Sequence, residues 1–281
     1  MIKPINPYKL VKTSPDKSLL SRTNNRIVPP VARAFLGRMR DLVLPPQCQG
    51  CSCVVETPDT LCAKCWSALS LIGPAVCHNC GVPFPYDQYA PLCAPCAGHT
   101  PPFGRARAAV VYDEGCRAMI LGFKYSDRTE AAALFARLMI TAFVNLIDDA
   151  DVLIPVPLDR KRLFHRRYNQ AALLAQAINK QHGVRVLPDA MERIKPTPGQ
   201  GTLLGKIQGK KNKISAAERR RSVQGAFRVR DDYVDQLAGR RVLVIDDVYT
   251  TGATAWAMAR VLNRAGVEAV DVLTFARVVR N

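Results

Sequence analysis

With 281 residues the chain has room for one large domain or two smaller ones, and its 48% hydrophobic content is that of a globular protein. Forty Lys and Arg against 23 Asp and Glu give a net charge of +17, which points to an anionic ligand, a nucleic acid or both, laid over a solvated basic surface. No secretory signal is visible, and the longest apolar stretch, residues 134–147, is short for a bilayer and interrupted by Arg137, Thr141 and Asn145. A cytoplasmic protein without a membrane span is the expectation.

Residues 1–30 mix Lys, Ser, Asn and Pro without periodicity and read as a mobile tail. Residues 31–44 carry a short amphipathic helical pattern that Pro45 and Pro46 stop. Residues 48–96 hold nine of the ten cysteines, and a loop-rich segment of that size buries too little core to stand without a staple. Eight of them form four identical pairs: Cys48-x2-Cys51, Cys62-x2-Cys65, Cys77-x2-Cys80 and Cys93-x2-Cys96. In a reducing compartment such pairs serve metal rather than disulfides. Two thiolates of one turn reach one tetrahedral ion and a second turn closes a four-cysteine site, so four turns predict two structural Zn2+. An iron–sulfur cluster is the alternative occupant, although nothing else in the chain suggests electron transfer. Spacing leaves open whether neighbouring pairs combine or interleave. Cys53 and Cys116 fall outside the pairs, Cys53 close enough to Cys51 to compete for a ligand position; His78 and His99 read as bystanders.

From about residue 104 the texture changes. Residues 107–112 read as a strand, 130–147 as a helix, 151–156 as a strand and 170–181 as a helix capped by Asn169. Strands follow at 184–187 and 226–229, then at 242, then a helix from 254 and a last strand at 270–275. This alternation predicts an α/β fold, a mainly parallel sheet with flanking helices, over residues 104–281, preceded by a small zinc-stapled domain over 31–103. Ligands of such sheets sit beyond the strand carboxyl ends. Residues 197–214, rich in Gly and Lys and without a period, read as a functional flap or a disordered segment.

The most informative string begins with the apolar run Val242-Leu243-Val244-Ile245. Asp246 and Asp247 follow, then Val248-Tyr249-Thr250-Thr251-Gly252-Ala253-Thr254 and a helical pattern that stops at Gly266. It reads as strand, acidic strand end, hydroxyl-rich turn and helix N-terminus. The turn offers backbone N–H groups, hydroxyls and the positive end of a helix dipole to a phosphate. The carboxylates are acceptors and suit sugar hydroxyls, so the pair of features describes a ribose 5-phosphate site. The alternative, the metal-binding strand of an ATPase, needs a phosphate loop elsewhere, and residues 201–207 lack the Ser or Thr that such a loop requires. Arg160 and Lys161, with Arg162, Arg166 and Arg167, follow the strand end Ile154-Pro155-Val156-Pro157. Alone they read as a solvated turn; beside a ribose-phosphate site they suit pyrophosphate. Residues 124–127 read equally as a lid or a surface turn.

The unbroken string Val242 to Thr254 matches the phosphoribosyl pyrophosphate (PRPP) signature of type I phosphoribosyltransferases. Together with the cysteine pairs, Phe123-Lys124-Tyr125, the Pro-Val-Pro strand end, Arg166 to Gln170, and Arg219 with Gly225-Ala226-Phe227, it makes the chain from about residue 42 to 277 resemble the ComF/GntX family. Arg167 stands where that family usually has Gly, Ser222 where it usually has Asn, and roughly residues 201–213 look inserted. The resemblance implies a type I phosphoribosyltransferase-like fold, transfer from PRPP with release of pyrophosphate, and Mg2+ accompanying PRPP. It implies Asp246 and Asp247 as the catalytic carboxylates, Thr250, Thr251, Gly252, Ala253 and Thr254 around the 5-phosphate, and Arg160 and Lys161 at the pyrophosphate. It also implies a link to DNA uptake in competent bacteria. Expected partners are PRPP or a ribose 5-phosphate-containing nucleotide, and single-stranded DNA or DNA-uptake proteins. The alternative is a non-catalytic nucleic-acid-binding accessory protein that keeps the pocket for recognition.

Overall fold

The computed structural model describes residues 45–84, 91–195, 221 and 223–279; the readings at 1–30, 31–44 and 197–214 lie outside the described residues. Residues 46–281 cluster into one compact unit. Its centre is a five-stranded sheet of β1 (Ala106–Val111), β2 (Val152–Pro155), β3 (Arg185–Val186), β6 (Arg241–Tyr249) and β7 (Ala269–Arg277), in the order β1-β7-β6-β2-β3. Every pairing in it is parallel. A separate antiparallel pair joins β4 (Met191–Arg193) to β5 (Phe227–Val229).

Both faces of the sheet are covered, as parallel strands require. Along β6 the side chains alternate: Leu243 and Ile245 enter one core and Val242 and Val244 the other. The first core is closed by α4 (Ala131–Asp148) and α6 (Gln170–His182), the second by α8 (Ala253–Arg264) and the β4–β5 pair. From β2 the chain winds outward to β3, and from β6 it winds the other way to β7. The carboxyl ends of β2 and β6 therefore flank a topological switch point, where open α/β sheets hold their ligands.

The helix α4 is 18 residues long with a mean hydropathy of 1.6, long and apolar enough by composition to cross a membrane. Eight of its residues are instead buried in the first core. Phe135 stacks on Phe275 of β7 at 3.8 Å between ring centroids and meets Phe123 edge-on at 5.3 Å.

Two helices run through segments whose sequence reads as irregular. The first, α3 (Glu114–Tyr125), is capped by Asp113, whose carboxylate accepts from the N–H groups of Gly115 and Cys116. Gly115 and Gly122 weaken its helical pattern in the sequence. Gly115 is needed all the same, since a Cβ there would collide with the carbonyl of Ala68. The second, α5 (Arg160–Arg166), corrects the reading of a basic turn; it is seven residues long and buries none of its side chains, so it leaves no apolar period. Residues 226–229 do form a strand, but it pairs with β4, a strand without a sequence signal of its own, and stays outside the main sheet. The cap at Asn169 is as expected: its side chain accepts from Ala171 N–H and donates to the Val156 carbonyl.

The cysteine-bearing segment is built onto the sheet. Ser70 to Ile72 runs antiparallel along the free edge of β1, with Ile72 N–H on the Ala109 carbonyl and Val111 N–H on the Ser70 carbonyl. This covers an edge that would otherwise present unpaired backbone groups. Phe135→Ala should lower the unfolding free energy by about 3–5 kcal/mol in denaturant titrations, the cost of removing a core aromatic; a loss below about 1 kcal/mol would contradict the placement of α4 in the core.

Candidate functional site: an acidic strand end and glycine turn beside two cysteine centres

The two halves of the cysteine segment repeat one geometry. Cys48 N–H bonds the Cys53 carbonyl, and Cys77 N–H bonds the Val82 carbonyl. Gln47 bridges Val54, and Val76 bridges Pro83. Ser52 and Gly81, each four residues after the first cysteine, take positive φ angles of 63° and 69°. The first cysteine of the second pair in each half precedes a short helix, α1 (Ala63–Ser67) after Cys62 and α2 (Ala94–Gly98) after Cys93. Neighbouring pairs therefore combine, which settles the question that spacing leaves open. Cys77, Cys80, Cys93 and Cys96 gather with all sulfurs within 4.8 Å of one another, and Cys48, Cys51, Cys53 and Cys62 do the same. The Cys51–Cys62 and Cys80–Cys93 sulfurs lie 3.7 and 3.6 Å apart. A tetrahedral Zn2+ with bonds of ~2.3 Å needs sulfurs ~3.8 Å apart, so the donor sets fit.

Electrostatics favour a cation at both centres. Burial works against ionising Cys48, yet N–H donors from Cys62, Cys51 and Gly50 outweigh it and bring its thiol down to about 6. Cys77 behaves alike, at about 7, with N–H donors led by Cys93 outweighing burial. Cys51 is lowered as well, first by the Cys53 N–H, whereas other thiols resist ionising beside an existing thiolate: Cys53 is pushed up to about 12, chiefly by its hydrogen bond to Cys51, and Cys65 and Cys96 rise through burial and their neighbours. The first centre thus has five thiols for four positions. Cys53 stands where the second half has Val82, and Cys65 where it has Cys96, so the repeat favours Cys65 as ligand.

At the switch point, Asp246 and Asp247 are the sixth and seventh of the nine residues of β6, which continues to Tyr249 instead of ending at the carboxylates. Thr250 and Thr251 form the turn, and Gly252 is the N-cap of α8 with φ 72°. Only glycine suits this position: the backbone is left-handed, and a Cβ would strike the Tyr249 hydroxyl. Gly252 brings no capping side chain, so Ala253 and Thr254 open the helix with N–H groups available to an anion. Burial raises the Asp246 carboxyl to about 7, with Asp247 adding repulsion; the Asp247 N–H, Lys124 and Arg193 pull the other way.

The structure gives Lys124 a place in this site and adds Arg193, which the sequence alone does not single out. Lys124, at the end of α3, places its Nζ 3.0 Å from Asp247 Oδ2, with the two side chains only 12% and 15% exposed. The helix end that carries it is held by Tyr168 and Gln170, whose side chains donate to the Phe123 carbonyl, Gln170 also reaching that of Lys124. The motifs at 123–125 and 166–170 are thus one assembly, neither a lid nor a surface turn. Arg193 projects from β4 over the Phe227 ring. Burial first, then the charge of Arg162, lowers its ordinary pKa, while Asp159 and Asp246 oppose this, so Arg193 lies between Asp246 and the Arg162–Asp159 ion pair of 3.2 Å. Arg160 and Lys161 sit exposed on the first turn of α5. Arg167 forms the left-handed C-cap of α5 at φ 63°, the conformation that explains a Gly there in the resembled family.

Elemental analysis of the purified protein should find two Zn2+ per chain. Cys65→Ser should lose one and Cys53→Ser neither; the reverse would exchange their roles. Lys124→Met removes a charge that favours ionised carboxylates. The aspartate titration near pH 7 should therefore move upward in 13C NMR, and a downward move would contradict the ion pair. The sign for stability follows: a carboxyl raised on folding favours the protonated fold, so this group's contribution is lost as pH rises from about 4 to about 7.

Residues 39–97 match the double zinc ribbon domain family. Competence protein F of Haemophilus influenzae is 29% identical over 222 residues, 77% of this chain and 90% of that protein. The DNA utilization protein YhgH of Escherichia coli K12 is 28% identical over the same shares of both chains. Among solved structures, adenine phosphoribosyltransferase from Thermoanaerobacter pseudethanolicus aligns with 54% of this chain and 83% of its own at 14% identity, with a TM-score of 0.32. The chain carries a double zinc ribbon and, over about three quarters of its length, is a homologue of proteins named for competence and DNA utilization.

Proposed function

We propose that this protein is a phosphoribosyltransferase that takes its sugar phosphate from PRPP and releases pyrophosphate, in the cytoplasm, where its thiols stay reduced. One observation carries the reading: an uncapped, left-handed glycine turn opens α8 directly after two adjacent carboxylates, at the switch point of a parallel sheet. In this reading the N–H groups and hydroxyls of residues 250–254 hold the 5-phosphate. Asp246 and Asp247 accept from the ribose hydroxyls. As the bond from the anomeric carbon to pyrophosphate breaks, its electron pair leaves with pyrophosphate, a nucleophilic atom of the acceptor supplies the pair for the new bond to that carbon, and the carboxylates offset the positive charge that develops on the sugar in between. Arg160, Lys161 and Arg162, with Arg193 nearer the carboxylates, attract the pyrophosphate. Mg2+ bound with PRPP would neutralise the leaving group.

A second reading has one observation in its favour. Phe164 on α5 is 86% exposed, beside the exposed Leu163 and among Arg160, Lys161 and Arg166. A bare aromatic among cations suits a stacked base of single-stranded nucleic acid, and two relatives are named for competence and DNA utilization.

Calorimetry with PRPP and Mg2+ should detect binding to the wild type and none to Gly252→Val, whose branched side chain meets Tyr249 in a left-handed backbone. Asp247→Asn should reduce pyrophosphate release more than binding, because the charge matters most when the sugar is cationic. Equal binding by Gly252→Val would overturn the phosphate turn. Salt-sensitive binding of oligonucleotides without pyrophosphate release would favour the second reading.

A further inference from the structure

The two residues that bracket the phosphate turn, Tyr249 and Trp256, each reach the second cysteine centre through one intervening side chain. Tyr249, the last residue of β6, pairs in register with Arg277, the last residue of β7, and its carbonyl accepts from Val278 N–H at 2.8 Å. The Arg277 guanidinium lies over the Tyr249 ring, 4.9 Å from its centroid, and donates from Nη1 to the carbonyl of Cys80. Arg277 is 5% exposed, so its charge is committed to this place. The Tyr249 ring in turn lies against Gly252, where a Cβ would meet its hydroxyl and Cζ. On the far side of the turn, Trp256 stacks at 6.5 Å with His99, three residues beyond Cys96. Gly81, next to Cys80, takes a positive φ and approaches the Ala106 carbonyl so closely that no side chain fits. The first centre meets the rest of the fold elsewhere: Arg128 donates to the Cys48 carbonyl, and Ala68 lies against Gly115.

We propose that the second cysteine centre positions the phosphate turn. Its metal fixes the Cys80 carbonyl, the carbonyl orients Arg277, and Arg277 holds the Tyr249 ring under Gly252 while His99 braces Trp256. Arg277 and Tyr249 are positioning residues that act on the turn through its own backbone. The inference rests on the ribose-phosphate reading of that turn. It adds a consequence: the metal at the second centre and a sugar phosphate at the turn bind cooperatively, each tightening the other by the same factor. The first centre has no such coupling.

The test uses the full chain loaded with Zn2+ and ribose 5-phosphate as the probe. Release of Zn2+ to a colorimetric chelator should be biphasic, and saturating ribose 5-phosphate should slow one of the two phases about tenfold, within the usual range of coupling between sites. Arg277→Met should keep both ions and lose the slowing, and Arg277→Lys should restore part of it. A ligand-free arm separates this inference from the reading beneath it. Cys93→Ser, which empties the second centre, should raise amide exchange across residues 249–256, whereas Cys65→Ser should not. If ribose 5-phosphate binds but slows neither phase, or slows it equally in Arg277→Met, the coupling is wrong. If ribose 5-phosphate does not bind at all, the phosphate reading fails, and unchanged exchange in Cys93→Ser would then overturn the positioning as well.

Discussion

Two carboxylates on consecutive residues of one strand repel each other, and the strand that carries them here is otherwise core. Burial, to which that repulsion adds, is the constraint to which the rest of the site answers. The two carboxylates draw their cations from different elements. Asp247 takes Lys124 from α3. Asp246 faces the side where Arg193 enters from the β4–β5 pair. Neither cation compensates fully, and the Asp246 carboxyl stays well above its usual range. The pocket is thus kept electrically unfinished. A ligand that brings hydroxyl donors to the carboxylates and an anion to the neighbouring turn completes both halves, which a phosphate alone or a sugar alone does not.

The fold explains why the assembly sits where it does. The parallel sheet needs cover on both faces, and α6 and α8, which follow β2 and β6, supply it from opposite sides. The two strands diverge in connection at their carboxyl ends, and the opening between them is lined by whatever the first turn of each following segment presents. After β2 that is Asp159 and the cations of α5; after β6 it is the glycine turn. The double zinc ribbon lies along β1 and reaches β7 through Cys80, so β7 transmits the position of the second centre to its neighbour β6.

Most of this architecture is legible in the sequence because its signals are local. The apolar runs of β6 and β7, the Asn169 cap and the four cysteine pairs each announce themselves within a few residues. What stays hidden depends on distance. Lys124 stands out in the sequence only through the motif Phe123-Lys124-Tyr125, which says nothing of its partner; the Tyr168 and Gln170 donors hold the helix end that brings it to Asp247. Arg193 is invisible for the same reason, since its strand is three residues long and its partner strand lies more than thirty residues away. The pairing of the cysteine turns is undecidable from spacing, because each gap fits either arrangement, and a repeated backbone hydrogen-bond pattern decides it. Arg167 carries a lesson in the other direction: a departure from a family's glycine reads as a functional change, and it is a left-handed helix end filled by a residue that also reaches Asp127.

The central claim is the division of labour at the end of β6, with donors for the phosphate and carboxylates for the sugar. Amide and carboxyl chemical shifts of the labelled protein, followed while ribose 5-phosphate, ribose or inorganic phosphate is added, test it most directly. Ribose 5-phosphate should shift the amides of Gly252, Ala253 and Thr254 together with the carboxyl carbons of Asp246 and Asp247. Phosphate alone should move only the amides, and ribose alone should have little effect. Shifts confined to α5, or an unchanged turn at saturating ribose 5-phosphate, would contradict the account.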